Sequence, residues 1–103
     1  MADQKKIQEL QILEQNLQGI LMQRQAFELE INETENALKE IDKSNEDVYK
    51  IVGQIMLKTG KETVTKELEE KNKVFLLRVK SIEKQENTIK DQIEKLRSEL
   101  QKK

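Results

Sequence analysis

The sequence predicts a mainly α-helical protein, an antiparallel two-helix coiled coil with a β-hairpin at its bend. Two long segments carry apolar residues at alternating steps of three and four, which keeps one narrow seam facing a partner helix. A short apolar insert with Gly53 near its centre separates the two segments. Because the two patterns mirror each other about this insert, the simplest arrangement folds the second helix back along the first.

The first helix is expected over residues 3–44. No proline forces a break in it. The turn-forming residues 42–47 supply its exit. Its seam consists of Leu10, Leu13, Leu17, Ile20, Arg24, Phe27, Ile31, Thr34, Leu38 and Ile41.

The insert predicts a β-hairpin over residues 48–59. Segments 48–52 and 55–59 are rich in β-branched and apolar residues, and Gly53-Gln54 lies between them. Glycine at the first loop position favours a type II′ turn, because it accepts a positive φ without penalty. Residues opposite each other share a face, so Val52 and Ile55 occupy one face while Ile51 and Met56 occupy the other.

Both faces of this hairpin are therefore apolar near the turn. A lone two-stranded hairpin is marginal in water, and its edges carry unpaired backbone groups. We expect it to pair with hairpins of other chains. The alternative is a hairpin folded over the helix ends as a cap, in a monomer or simple dimer. An uninterrupted helix is disfavoured by Gly53, Gly60 and the β-branched density.

The second helix is expected over residues 63–101, with Thr63 or Thr65 as its N-cap. Its seam consists of Leu68, Asn72, Phe75, Val79, Ile82, Glu86, Ile89, Ile93, Leu96 and Leu100.

The mirrored seams also predict a register that places Leu10 opposite Leu96 and Leu38 opposite Leu68. In this register Thr34 faces Asn72, which predicts a hydrogen bond between two polar groups in an otherwise apolar seam. Arg24 and Glu86 fall in adjacent layers and are expected to form a diagonal ion pair.

Composition excludes several classes of function. The 103 residues are 38% charged and 35% hydrophobic, with a net charge of -1. There is no histidine or cysteine, which removes the usual general base, thiol nucleophile and transition-metal ligands. We therefore expect no enzyme activity, no metal and no cofactor. Interspersed charges argue against nucleic acid, no apolar run reaches the length of a membrane span, and the lack of cysteine suits the cytoplasm.

At the insert the sequence resembles a known family. The segment DVYKIVGQIMLKT at residues 47–59, followed by KELEEK at 66–71, resembles the beta-type subunits of archaeal prefoldin. The resemblance covers residues 1–103 as a single helix–hairpin–helix unit. The insert has room for one hairpin, as in beta-type subunits, and not for the two of alpha-type subunits.

This resemblance implies an assembly and an activity. Prefoldins are hexamers of two alpha and four beta subunits whose hairpins form an oligomeric β-barrel hub. Their coiled-coil tips hold unfolded polypeptides and deliver them to a group II chaperonin, without ATP. By position, the hub residues here are Val48, Tyr49, Ile51, Val52, Ile55, Met56 and Leu57.

The tips are then the two chain termini. Ile7 and Ile12 lie off the seam there, and the neighbouring seam layers are expected to fray. The predicted client-binding residues are Ile7, Leu10, Ile12, Leu13, Leu17, Ile93, Leu96 and Leu100. The alternative is that these residues only close the last layers of the coil. A basic group near the end of the second helix is predicted to dock a chaperonin: Lys95, Arg97, Lys102 and Lys103. Cations at a helix C-terminus are also expected from the helix dipole alone.

Some apolar residues lie off the seam elsewhere and are expected to contact a neighbouring subunit or to line a cavity. They are Leu21, Met22, Leu29, Val74, Leu76 and Leu77. A different class of function also fits the coiled coil: an oligomeric spacer or tether that does not bind non-native protein. Such a spacer predicts well-closed tips, whereas a chaperone predicts apolar surface near the termini.

Overall fold

The computed structural model describes residues 2–44 and 47–102. The chain consists of two long helices, α1 (Ala2–Lys43) and α2 (Lys61–Gln101), joined by strands β1 (Val48–Val52) and β2 (Ile55–Thr59). The predicted fold class, two long helices with an antiparallel hairpin between them, is confirmed. The chain divides into two compact units. The terminal unit comprises Met1–Ala26 and Arg78–Lys103, and the hairpin unit comprises Phe27–Leu77.

In the terminal unit, α1 and α2 pack antiparallel along the predicted seam. Every seam residue of this unit is buried or half-buried. Ile82 and Ile93 are the most enclosed apolar side chains. An ion pair of 3.4 Å between Lys6 Nζ and Glu99 Oε2 places the start of α1 beside the end of α2. The heptad alternation thus finds its partner within the chain, as predicted.

A charged layer interrupts the apolar seam of the terminal unit. Glu86 is only 4% exposed. Its Oε2 accepts a hydrogen bond of 2.6 Å from Arg24 Nη1, and its Oε1 lies 3.3 Å from Lys90 Nζ. The predicted ion pair between Arg24 and Glu86 is confirmed, and two cations compensate the buried carboxylate.

The hairpin unit contains the rest of the seam, and its members are likewise buried or half-buried. Phe27 on α1 and Phe75 on α2 pack with ring centroids 6.0 Å apart and tilted by 41°. This tilted contact is a favourable geometry for two aromatic rings. It joins the two helices across the seam of this unit.

The predicted hydrogen bond between Thr34 and Asn72 is wrong. Thr34 is buried, but its hydroxyl donates to the Glu30 carbonyl one turn earlier in α1, at 2.7 Å. A threonine within a helix readily makes this local bond, which competes with bonds across the seam. Asn72 Oδ1 is buried and accepts no hydrogen bond within the described residues.

The hairpin has the predicted register. Val52 pairs with Ile55 and Ile51 with Met56, so successive pairs alternate between the two faces. Gly53 has a φ of +62°, and no described non-glycine residue has a positive φ. Positive φ at the first loop position alone is what a type II′ turn requires.

Helix α2 begins at Lys61, two residues before the expected start, so the predicted caps at Thr63 and Thr65 are wrong. The Gly60 carbonyl accepts a 3.1 Å hydrogen bond from the Val64 amide, which makes Gly60 the residue that precedes the first turn. Lys61 Nζ also donates to the carbonyls of Asp42 and Ser44, at 3.3 and 3.2 Å. These carbonyls lie at the end of α1, where the last carbonyls have no amide donor within the helix. Lys61 therefore links the start of α2 to the end of α1 at the base of the hairpin.

Candidate functional site

The hairpin forms the most exposed apolar surface of the described chain. Six of the predicted hub residues are 49–70% exposed: Tyr49, Ile51, Val52, Ile55, Met56 and Leu57. The seventh, Val48, is half-buried at the start of β1 and contributes with Thr59 and Lys61 to the wall of a depression. Six large apolar side chains on a ten-residue ribbon exceed what a monomeric surface requires.

Both faces of this ribbon are available. The strand register places Ile51 and Met56 on one face and Val52 and Ile55 on the other. Within the described residues the sheet has two strands, so each strand has an outer edge whose backbone groups lack a strand partner there. Such a ribbon can add further strands at its edges and bury both faces against other hairpins.

One ion pair links this ribbon to α2 within the hairpin unit, and a second joins the two sides of its base. Lys50 Nζ on β1 lies 2.9 Å from Glu67 Oε2 on α2, and Lys58 Nζ lies 3.3 Å from Asp47 Oδ2. These pairs are exposed, so each contributes at most about 1 kcal/mol. Their effect is to restrain the base of the hairpin while its apolar side chains remain uncovered.

A second apolar surface lies in the terminal unit. Ile7 and Ile12 are 45% and 57% exposed, as their off-seam positions predict. Ile12 joins Leu13 and Leu96 in the wall of an open groove of about 370 Å³, which Glu9 and Gln92 complete. Of the other predicted tip residues, Leu10, Leu17 and Leu100 are half-buried and Ile93 is buried. The structure thus brings three of the eight together around one groove.

The predicted basic group is only partly free. Lys95 and Lys102 are exposed. Arg97 is exposed as well, but its Nη2 donates to Glu14 Oε1 at 2.9 Å. Lys103 lies outside the described residues. Two lysines therefore present uncompensated charge near the end of α2, within the described chain.

The off-seam apolar residues are nearly all at the surface. Met22 in the terminal unit is 70% exposed, and Leu29, Val74, Leu76 and Leu77 in the hairpin unit are 45–66% exposed. Leu21 is half-buried. These side chains are not needed to close the two-helix seam.

The described residues contain neither a metal cluster nor a membrane span. Within residues 2–44 and 47–102, no three acidic, histidine or cysteine side chains are grouped to hold a metal ion. In the same part of the chain, neither helix combines the length and the hydropathy needed to cross a bilayer.

The sequence is similar to known proteins along almost its full length. A family model described as "Prefoldin subunit" matches residues 4–103. The prefoldin beta subunit of Archaeoglobus fulgidus is 37% identical over 100 residues, which cover 95% of this chain and 86% of that protein. The corresponding subunit of Methanothrix thermoacetophila is 39% identical over 99 residues, covering 94% and 82%.

Solved structures show the same similarity. The crystal structure of the prefoldin beta subunit from Thermococcus strain KS-1 superposes with a TM-score of 0.92 at 31% identity, covering 97% of this chain and 90% of that one. The beta2 subunit from the same strain gives a TM-score of 0.77 at 25% identity, covering 84% and 95%. With its apolar hairpin, its seam and its archaeal beta-type relatives, this chain belongs to the prefoldin family of chaperone subunits, which assemble with one another.

Proposed function

We propose that this chain is the beta-type subunit of a cytoplasmic hetero-hexamer with two alpha and four beta subunits, held together by its hairpin. The hairpin's exposed side chains support this assignment, because each fully buried large apolar side chain contributes about 1.5–3 kcal/mol. Pairing at the strand edges would also satisfy the backbone groups that a two-stranded sheet leaves open. The hub residues are the seven named above, and a closed barrel is the arrangement that leaves no edge.

The assembled subunit captures non-native polypeptides, without catalysis, ATP or a cofactor. The observation that carries this function is the groove beside Ile12, Leu13 and Leu96, where apolar side chains remain accessible near the paired chain ends. The last layers of a two-helix coil are held by few contacts, so local opening would add Leu10, Leu17, Ile93 and Leu100 to this surface. Ile7 is 45% exposed near the start of α1 and adds a separate apolar contact to the client-binding set.

One such groove is too small for tight binding. Several grooves on one complex raise the effective concentration for a client that touches more than one of them. An oligomer that presents multiple copies therefore captures long unfolded chains and releases short or folded ones. The proposed assembly and the proposed capture depend on each other in this way.

Transfer to a group II chaperonin follows as the last step. Lys95 and Lys102 supply exposed positive charge near the end of α2, and Arg97 and Lys103 are the remaining members of the proposed docking group. Attraction to an acidic surface would raise the rate of encounter and weaken with salt. Replacing Lys95 and Lys102 by Glu should lower chaperonin binding in surface plasmon resonance while leaving client capture unchanged.

The test of capture uses the chain co-assembled with an alpha-type subunit. A chemically denatured protein is diluted into buffer, and light scattering follows its aggregation. The Ile7→Gln/Ile12→Gln variant should keep its assembly, because both side chains are exposed, but lose much of its suppression of aggregation. Ser81→Gln/Thr88→Gln is the matched control, since both residues are exposed on α2 and belong to none of the proposed surfaces.

Deleting residues 1–10 and 96–103 is the stronger form of the same test. Native mass spectrometry first confirms that each complex has assembled. No suppression by the correctly assembled wild-type complex would overturn the chaperone function and leave the oligomeric spacer. Suppression that survives tip deletion would place capture elsewhere on the subunit.

A further inference from the structure

Helix α1 carries an uncharged exposed face within the terminal unit. Between Gln11 and Ala26 the only charged residues are Glu14 and Arg24, and both form ion pairs with α2. The remaining exposed residues are amides, small residues and two large apolar side chains. We call this set the neutral face: Gln11, Ile12, Gln15, Asn16, Gln18, Gly19, Met22, Gln23, Gln25 and Ala26.

The neutral face is continuous and broad. At 3.6 residues per turn its members occupy about half the circumference of α1, and sixteen residues at 1.5 Å each extend for about 24 Å. Ile12 and Met22 project from it, 57% and 70% exposed. Between them lies Gly19, where an added Cβ would meet nothing within 4 Å, so the helix backbone is accessible there.

Helix α2 of the same unit has the opposite character. Thirteen residues between 78 and 95 are exposed, and eight of them are charged, with both signs: Arg78, Lys80, Glu83, Lys84, Lys90, Asp91, Glu94 and Lys95. In a chain that is 38% charged, a run of sixteen residues with only two charges, both used in pairs, stands apart from the rest of the surface. Over this stretch most exposed charges of the coil lie on α2, whereas the exposed residues of α1 between Gln11 and Ala26 are uncharged.

We propose that the neutral face is a second binding surface for non-native polypeptide, and that clients lie along α1 rather than only at the chain ends. This inference rests on the proposed function and assigns its client-binding surface more closely. The occupant is an extended, partly apolar segment of unfolded chain. Ile12 belongs both to this face and to the groove with Leu13 and Leu96, so the two surfaces are continuous.

The chemistry of the face fits that occupant. Glutamine side chains both donate and accept hydrogen bonds, so they can pair with the unsatisfied backbone of an unfolded segment. An uncharged surface repels neither acidic nor basic clients, and covering it does not require the desolvation of fixed charges. Met22 is flexible enough to contact side chains of varied shape. A surface with these properties can therefore bind acidic and basic clients alike.

The first experiment uses the absence of cysteine in this chain. Single-cysteine variants carry a benzophenone photo-crosslinker at Gln18→Cys on the neutral face, at Ile7→Cys near the chain end, or at Lys84→Cys on the charged helix α2. Each is co-assembled with an alpha-type subunit and irradiated with a denatured, radiolabelled client. We expect client adducts at positions 18 and 7, and at least fivefold fewer at position 84.

The outcomes separate this inference from the proposed function. Adducts at position 7 alone would overturn the neutral face and retain capture at the chain ends. Adducts at none of the three positions, in a correctly assembled complex, would overturn both. Equal adducts at positions 18 and 84 would show unspecific contact and overturn the face. Adducts between position 18 and another subunit would assign this face to an interface between subunits and likewise overturn it.

A second experiment changes the charge of the face without changing net charge. Gln18→Lys/Gln25→Glu places two charges on the neutral face, and the new lysine lies one turn after Glu14, which supports the helix. Gln85→Glu/Asn87→Lys makes the matched change on exposed positions of α2. We expect the first variant to need at least threefold more complex for half-suppression of aggregation, and the second to match wild type. Equal activity of the two variants, with assembly intact, would overturn the neutral face.

Discussion

Removal of Arg24 should destabilise the terminal unit more than the loss of any exposed ion pair would. In the Arg24→Met variant Glu86 remains 4% exposed and loses its 2.6 Å hydrogen bond, keeping only the 3.3 Å contact with Lys90. Removing one partner of a buried ion pair typically costs about 3–5 kcal/mol. Because Lys90 remains and Arg24 itself is partly exposed, we expect a loss of about 2–3 kcal/mol in the free energy of unfolding.

The replacement of both residues should reverse that loss. Arg24→Met/Glu86→Leu leaves no charge in the seam and fills it with apolar side chains of similar length. Replacement of a whole buried pair by apolar residues is often neutral or stabilising, by about 1–4 kcal/mol. The double variant is therefore expected to unfold at or above the temperature of the wild-type chain.

The assay is thermal unfolding followed by circular dichroism, at one fixed subunit concentration because assembly shifts apparent stability. For a chain of this size the single variant should unfold at least about 8 °C lower. The control is Arg97→Met, which breaks the exposed pair with Glu14 and should cost no more than about 1 kcal/mol. Equal losses for Arg24→Met and Arg97→Met would refute the reasoning that burial makes the Glu86 layer costly to break.

Three further substitutions test local features. Gly53→Ala should lower the yield of assembled complex in native mass spectrometry. The φ of +62° at this position costs a residue with a Cβ about 1 kcal/mol in the turn. Unchanged assembly would contradict this prediction. Gly19→Ala should stabilise α1 by about 1 kcal/mol in urea unfolding, since the added Cβ has open space, and a loss of stability would contradict it. Asn72→Leu should stabilise the hairpin unit by about 1–2 kcal/mol in the same assay, because it removes a buried oxygen that has no hydrogen-bond partner among the described residues. Destabilisation would imply a partner for that oxygen.

The seam and the hairpin were predictable because each rests on a short repeating rule. Alternating steps of three and four determine which side of each helix is buried, and Glu86 follows that rule although it is charged. The Thr34 hydrogen bond was not predictable from register, because a helix offers its hydroxyl a nearer carbonyl at Glu30. The start of α2 was missed for a similar reason: glycine is a poor helix former, yet the Gly60 carbonyl can still accept the first helical bond.

For the functional surfaces, the sequence predicts which side chains are exposed better than it predicts which molecule binds them. Ile7 and Ile12 lie outside the heptad pattern, so their exposure follows directly from the register. Which molecule covers them does not follow, because an apolar side chain carries no information about its partner. The neutral face had a sequence signal of another kind, the stretch from Gln11 to Ala26, in which Glu14 and Arg24 are the only charged residues. Only the structure shows that ten uncharged residues of this stretch form one exposed face and that both of its charges are paired with α2.

The exposed apolar side chains fall into two sets, one suited to assembly and the other to the capture of non-native polypeptide. The hairpin unit holds the ribbon with Ile51 and Met56, whose burial requires other hairpins. The terminal unit holds Ile12 and Met22, which a rigid partner does not need to cover and which stay available to changing ligands. Since the two sets share no residue, substitutions at Ile51 should abolish assembly, whereas substitutions at Met22 should weaken capture by a complex that still assembles. An oligomeric spacer would require only the first set, so the exposure of the second is what favours a chaperone.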